Sequence, residues 1–580
     1  MNFTTARITL ALAALGMALP ASAQETAPDT SPSPASTQET ASREAPAQGA
    51  DALYEEAERF MTGEDGHRLD IARAIELYDQ AVQAGSAPAA YKLAMLNFEG
   101  IRMEPDARRG IELLKQAADA SLPEALYELG FSYEIGRSVM RDDSEATELY
   151  RQAAQLGDAR AQYRYGVNLF SGKGCVADQQ EGLEWLMKSA AQGDAMAVSS
   201  LGKAYYSGLG LPRDIPKAIP LLYNAAKKGV ADAQYLYGTC LLNGTGVEQD
   251  LQEGIRWLTA AANRGLADAS YQLGILTING GPIPANPEEG VAWLTKAAQR
   301  NYAPAFYSLY VVNTQGIGMD KPNPEKAEAF LKEAVNRENP DALYVYASQI
   351  LSRLPLSDED TRQAHALLRQ ASAKGHLPSM AYLGSLLTGN GTTPEQNSEG
   401  LYWLQTGTDA GHLPSMKGLA LAYLNNRGTT GREADGFALL QKAADAGDAD
   451  AKLRLATCYL RGVGTEREPQ TFIRMLQELS ITGMPQADFL LGLVYAEGLL
   501  VPRDKVAASK YLQQAADKGH TQARQYLERF DEHIATIDAA LAKASQDASK
   551  QARATAHEDP SAPPSPPSAA PAETSVPLQP

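Results

Sequence analysis

The sequence predicts an all-α fold: an α/α superhelical solenoid of about thirteen 36-residue helix hairpins, followed by a C-terminal capping helix. Three observations predict it. A small residue recurs at Ala52, Ala89, Ala125, Ala161, Ala197, Ala233, Ala269, Ala305, Ala342, Ser379, Ser415, Ala451, Ala487 and Ala523, at steps of 36 or 37. Each repeat carries two apolar stripes at helical spacing. Glycine and Asp or Asn punctuate the repeats at fixed positions. A register held over so many copies is the signature of a repeat array.

In chain order, residues 1–23 read as a secretory signal. Arg7 precedes the apolar run Ile8–Leu19, and Ala21-Ser22-Ala23 has the small-x-small form that a signal peptidase cuts. The run is too short to span a bilayer, which takes roughly 20 residues, and no cysteine follows it to carry a lipid. An uncleaved anchor is the alternative. The expectation is a periplasmic or secreted protein beginning at Gln24, with no stable membrane anchor after cleavage. Residues 24–50 are Pro, Ser, Thr, Ala and Glu with almost no large apolar side chain, and residues 551–580 are rich in Pro, Ala and Ser. Neither stretch buries enough surface to offset its ordering entropy, so both are expected to be disordered.

Residues 51–519 hold the repeats. In residues 231–266, Ala233, Tyr237, Gly238 and Leu241 fall on one helical face. Asn243-Gly244-Thr245-Gly246 makes a turn. Gly254, Trp257, Leu258, Ala261 and Ala262 then form a second stripe, which Gly265 closes as a left-handed cap. Before the second helix stand Asp70, Asp106, Asp142, Asp178, Asp214, Asp250, Asn286, Asn323 and Asp360, placed to accept the free N–H groups of the first turn. Glu145, Glu181, Glu253 and Glu289 sit at the capping-box position three residues on. No such hairpin buries its own apolar faces, so neighbours must stack. Arg353 and Glu338 replace expected glycines, which marks 336–362 as a place for the stack to bend or loosen.

Residues 520–550 read as the cap. Leu527, Phe530, Ile534, Ile537 and Leu541 continue at spacings of 3 and 4 with no glycine loop, as one long helix with a single seam. Its first part covers the last hairpin. The remainder folds back along the stack or pairs weakly with a second chain, and the monomer is the favoured reading because two heptads make a weak dimer.

The chain carries 52 Lys+Arg against 70 Asp+Glu, a net charge of −18. A phosphate backbone needs a basic footprint, so nucleic acid is excluded as a partner class. Three cysteines in 580 residues exclude a disulfide scaffold. Cys240 and Cys458 share a motif position six repeats apart, where a small apolar side chain packs; Cys175 falls in a loop. No H-E-x-x-H, paired-Cys or phosphate-loop motif occurs, so neither metal nor cofactor is expected. His376, His412 and His520 each follow a closing glycine, in the slot that Asp158 and Asp194 fill elsewhere, and read as turn residues. No catalytic pair or triad is recognisable.

At Ala197, Leu201-Gly202, Tyr205, Gly208, Gly210-Leu211, Asp214, Lys217-Ala218, Leu221, Ala225-Ala226 and Gly229 the chain resembles the Sel1-like repeat family, relatives of the tetratricopeptide repeats. The resemblance covers about 51–519. It implies a solenoid with first helices facing inward, and adaptor roles in quality control, secretion or envelope signalling. A disulfide-bonded branch of the family with β-lactamase-like activity carries a cysteine pair in each repeat, which this chain lacks.

Two aromatic sets stand out. Trp185, Trp257, Trp293 and Trp403 share one position of the second helix with leucines of other repeats, as packing residues do. Tyr54, Tyr91, Tyr127, Tyr163, Tyr235, Tyr271, Tyr307 and Tyr344 stand two residues after the recurring alanine. Packing between first helices explains that stripe. So does a ladder lining the inner groove, because Tyr joins apolar area to a hydroxyl. The expected function is that of a non-catalytic periplasmic scaffold binding a protein or peptide partner. The alternatives are a cell-envelope hydrolase or cell-wall glycan binder, and a periplasmic regulator of a membrane sensor.

Overall fold

A computed structural model describes residues 47–555, except 65–67, 102–103, 282, 390–391 and 499. The signal segment, residues 24–46 and residues 556–580 lie outside the described residues. Every regular element among the described residues is an α-helix, and helices pair in antiparallel hairpins at the sequence period. The first helix starts at Ala47, inside the segment read as linker, and the last runs to Thr555 through a stretch of good helix formers without Gly or Pro. The chain divides between Arg337 and Glu338 into two compact units, at the edge of the segment where glycines are replaced. Eight hairpins belong to the first unit; five hairpins and the C-terminal helices belong to the second.

The sixth hairpin shows how each is built. Its first helix, Ala231–Asn243, ends at Gly244 with φ 67°, a left-handed cap that only glycine enters without strain. Asp250 then accepts the N–H of Glu253 at 2.9 Å and starts the second helix, Leu251–Asn263. Ala233, Cys240, Leu258 and Ala261 are fully buried between and beneath the helices. Burying a leucine such as Leu258 contributes about 1.5–3 kcal/mol. The helices approach at Gly238 and Gly254. A Cβ added to either would lie 2.9 Å from the other's carbonyl oxygen, inside van der Waals contact. The same reciprocal pair recurs at Gly166 and Gly182, Gly274 and Gly290, and Gly384 and Gly400.

A polar ladder ties successive turns in the first unit. Lys228 donates to the carbonyl of Gly193 at 2.7 Å, and Gln192 to that of Gly157 at 3.0 Å. Arg264 lies against Gly229 and Arg300 against Gly265, while Arg337 donates to Asn301 Oδ1 at 2.7 Å. Each ladder residue sits one period beyond the turn it reaches. Where glycine is missing, another residue takes the left-handed turn: Ser121, Asn301 and, at the start of the second unit, Glu338 with φ 53°.

Three details differ from the sequence reading. Ser357 caps the ninth hairpin's second helix, with Asp360 at its third position closing a reciprocal box. Without a loop glycine near Arg353, this helix starts early and spans Asp358–Ala373. Glu181 and Glu289 do not accept the backbone N–H of their caps; their carboxylates accept the indole N–H of Trp185 and Trp293 at 3.1 and 3.4 Å, and Glu289 also accepts from the side-chain amide of its cap Asn286 at 3.0 Å. The C-terminal segment is two helices, Thr521–Glu528 and Phe530–Thr555, broken at Arg529. The break redirects the chain so that Leu527 and Phe530 pack on Phe489 and Leu512, while Ile534 is buried on Ala496 and Ala508. Asp538 pins the second of these helices through Lys505 at 3.2 Å and Arg503. From Asp538 onward its described side chains are exposed.

Candidate functional site

The eight tyrosines of the stripe are all half-buried. Seven lie in the first unit and Tyr344 in the second. Most touch the neighbouring hairpin. Tyr163 meets the hydroxyl of Ser200, the ring of Tyr271 lies 5.3 Å from Tyr302, and that of Tyr344 lies 5.5 Å from His376. Tyr307 packs on Tyr310 of its own helix and Tyr54 on Tyr78 of its own hairpin. The stripe is thus part of the packing between first helices, with one edge of each ring left to solvent. Burial raises the hydroxyl pKa of Tyr54, Tyr91, Tyr163 and Tyr235 above its ordinary value, and nearby carboxylates add to the rise. These tyrosines therefore stay neutral donors at any physiological pH.

The second to fourth hairpins bring a set of cations onto this stripe. Arg160 and Arg164 flank Tyr163 on one turn of the fourth hairpin's first helix, Ala159–Ser171. The guanidinium of Arg160 lies 4.2 Å from the ring centroid of Tyr127, and it also meets Tyr91, two hairpins away. Tyr91, Tyr127 and Arg160, on the first helices of three successive hairpins, thus lie on one face of the first unit. Arg137 covers the ring of Phe98 at 4.0 Å, and Arg164 approaches Phe131 at 5.7 Å. Such contacts hold a guanidinium in place at about 0.5–2 kcal/mol each.

Carboxylates underlie the cations. Glu128 pairs with Arg160 at 3.4 Å and Arg137 at 3.7 Å. Glu134 takes Lys173 at 2.7 Å, Arg164 at 3.6 Å and the hydroxyl of Tyr150 at 2.7 Å. Burial alone would raise the Glu134 pKa, but these donors outweigh it and hold the carboxyl below its usual range. The periodicity alone could not show this cluster: Arg137 and Lys173 share one loop position a period apart, but Arg160 and Arg164 occupy two others. The one legible sign was the Arg160–Arg164 pair around a stripe tyrosine.

The other candidates are structural. The tryptophans are half-buried at the hairpin edge, while the next residue of each, such as Leu258 or Leu294, is fully buried. His376 and His520 act as helix N-caps: Nδ1 accepts the N–H of Ser379 at 3.3 Å and of Ala523 at 3.2 Å. His412 Nδ1 lies 2.9 Å from the hydroxyl of Ser415. Cys240 and Cys458 are buried, and burial pushes both thiols up to about 11. Cys175, half-buried, is raised by burial and by Glu181, so it too favours the thiol. Among the described residues no three His, Cys, Asp or Glu converge as a metal site would, and no helix is long and apolar enough to cross a membrane.

Thirteen segments match the Sel1 repeat: 50–86, 87–122, 123–158, 159–194, 195–230, 231–266, 267–302, 312–339, 340–376, 377–412, 414–448, 449–471 and 485–520. Among solved structures, the chain is similar to c5321, a protective antigen present in uropathogenic Escherichia coli strains displaying an SLR fold. The identity is 21%, over 85% of this chain and 99% of that one, with a TM-score of 0.52, a likeness of fold alone. A Sel1 repeat protein from Oxalobacter formigenes is 25% identical over 44% of this chain and 99% of its own, with a TM-score of 0.37. The immunity protein PA5088 from Pseudomonas aeruginosa is 25% identical over 37% of this chain and 80% of its own, with a TM-score of 0.26. Among curated proteins nothing matches. With the repeat matched in thirteen segments from residue 50 to residue 520, on hairpins of the geometry above, this chain belongs to the Sel1 repeat family.

Proposed function

We propose that this protein is a non-catalytic periplasmic or secreted scaffold, and that the concave face of its first unit holds a protein or peptide partner. Sel1 repeat solenoids typically serve protein interaction, and generally without catalysis. One observation carries the assignment to this face: Tyr91 and Arg160, two hairpins apart, meet across it. A face shared by several hairpins in this way presents aromatic edges and fixed donors to one extended ligand. Tyr and Arg are the side chains that dominate binding energy at interfaces. The compartment rests on Arg7, the run Ile8–Leu19 and Ala21-Ser22-Ala23.

The test is capture of partners from a periplasmic extract by wild type and by a Tyr127→Ala/Tyr163→Ala variant, with thermal melting of both in parallel. The variant is expected to melt lower, since both rings are packed, and to lose a partner at temperatures where it is still folded. Identical capture by the two proteins would remove the face from consideration. N-terminal sequencing of the fractionated protein should begin at Gln24; an intact Met1 in the cytoplasm would refute the compartment. Turnover of peptidoglycan or nitrocefin by the purified protein would replace the scaffold reading with a hydrolase.

A further inference from the structure

We infer that the partner segment held by this face is acidic: an extended peptide whose Asp or Glu carboxylates meet Arg160, Arg164 and Arg137, with aromatic or apolar side chains between them. The inference rests on the scaffold reading and adds the chemistry of its ligand. It follows from how charge is layered across the second to fourth hairpins. The carboxylates lie beneath: Glu128 and Glu134 keep 13% and 14% of their side-chain surface. The cations lie above them, with Arg160 at 43%, Arg164 at 35% and Lys92 at 44% exposed. An approaching chain therefore meets guanidinium and ammonium groups first.

Those guanidinium groups are also fixed. Arg160 is held by Glu128, by Asp158 at 3.3 Å and by the Tyr127 ring; Arg164 by Glu134; Arg137 by Phe98 and the hydroxyl of Ser132 at 3.0 Å. The carboxylates, in turn, are committed. Glu134 accepts from Tyr150, and Asp158 caps its helix through the N–H of Ala161 at 2.8 Å. A guanidinium has five N–H donors, and one or two carboxylate oxygens leave part of that fork unused. A pre-ordered fork loses little entropy on taking a second carboxylate, and charge-assisted pairing of this kind is about twice as strong as a neutral hydrogen bond.

The rest of the face sets the limits of the site. At the helix position that Arg160 holds, the third hairpin carries the exposed Glu124 and the sixth and seventh carry Asp232 and Asp268, whose charges act on Tyr91, Tyr163 and Tyr235. The face thus changes sign along the stripe. On a chain of net charge −18, an acidic segment is drawn to the cluster of Arg137, Arg160 and Arg164 and away from Glu124, Asp232 and Asp268 on the same face.

The test uses the full-length protein and fluorescein-labelled peptides of about twelve residues, alternating Glu with Tyr or Gln with Tyr, read by fluorescence anisotropy. Binding of the Glu–Tyr peptide should be about tenfold tighter or more, the worth of one charged hydrogen bond. Arg160→Gln/Arg164→Gln should bring it down to the Gln–Tyr level. Arg160→Lys, which keeps charge but loses the fork, should fall between, and Arg256→Gln, on a second helix, should change nothing. The comparison of peptides on wild type needs no variant to fold. Equal binding of the two peptides, both lost in Tyr127→Ala, would overturn the acidic assignment and leave the peptide-binding face standing. Binding of neither peptide, or an equal loss in Arg256→Gln, overturns the inference too.

Discussion

Replacing His412 and His520 with asparagine should reduce the pH dependence of the second unit's stability, leaving the part due to His365, whose pKa burial also lowers. Both imidazoles face the first turn of a helix through Nδ1: His520 accepts the N–H of Ala523 at 3.2 Å, and His412 lies 2.9 Å from the Ser415 hydroxyl. As an acceptor, His520 Nδ1 must be unprotonated; His412 accepts no backbone N–H of its helix, and there burial disfavours the charged form. Burial lowers the pKa of each imidazole, with His376 adding to the effect at His412, while His520 is stacked on Phe489 at 4.6 Å. Because the folded values lie below the unfolded value of about 6.5, the unfolded chain binds the proton first. The stability from these caps is therefore complete above about pH 6.5 and is lost as pH falls through the folded values. A cap contributes about 1 kcal/mol, and a cation at the positive end of a helix costs a further 0.3–1 kcal/mol or so. Protonation should thus cost about 1–2 kcal/mol at His520, and about 0.3–1 kcal/mol at His412, which makes no cap bond to lose. Trp403 is the one tryptophan of the second unit. Its fluorescence, in a Trp185→Phe/Trp257→Phe/Trp293→Phe background, follows urea unfolding of that unit. Between about pH 7.5 and 5 the histidine protein should lose stability faster than the asparagine variant, whose amide caps without titrating. Parallel loss in the two proteins would refute the cap argument.

Other outcomes follow from the packing. Trp257→Ala should cost about 2 kcal/mol, below the 3–5 of a fully buried aromatic, because the indole is half-buried against Tyr237 and Tyr223; a thermal melt measures it. Gly254→Val should cost at least about 1–3 kcal/mol of overpacking, since even a methyl there meets the Gly238 carbonyl and Leu242. Hydrogen exchange should localise that loss to the sixth hairpin and its neighbours. Deleting 521–580 uncovers Phe489 and Leu512, so exchange protection should fall in the last two hairpins, whereas deleting only 556–580 should leave protection there unchanged.

A repeat protein is legible in sequence where each copy obeys the same local rule. The hairpins, the turn glycines and the cap before most second helices depend on neighbours three to five residues away, so one period states them thirteen times. Short-range physics also explains why Ser121, Asn301 and Glu338 stand in for glycine: the turn geometry persists and a non-glycine residue bears it. Tertiary structure decided what couples positions a period or more apart. The reach of Lys228 back to Gly193, the close approach of Gly238 and Gly254, and the turn at Arg529 that brings Ile534 onto Ala508 depend on distances between helices. No residue's own neighbours encode such distances. The cluster of Arg137, Arg160, Arg164 and Lys173 is the extreme case. Arg137 and Lys173 share a loop position one period apart, but Arg160 and Arg164 hold others, and the four are brought together through Glu128 and Glu134 across hairpins. The rotation between successive hairpins is set by side-chain volumes at every interface, and a period in sequence records the repeat but not the angle.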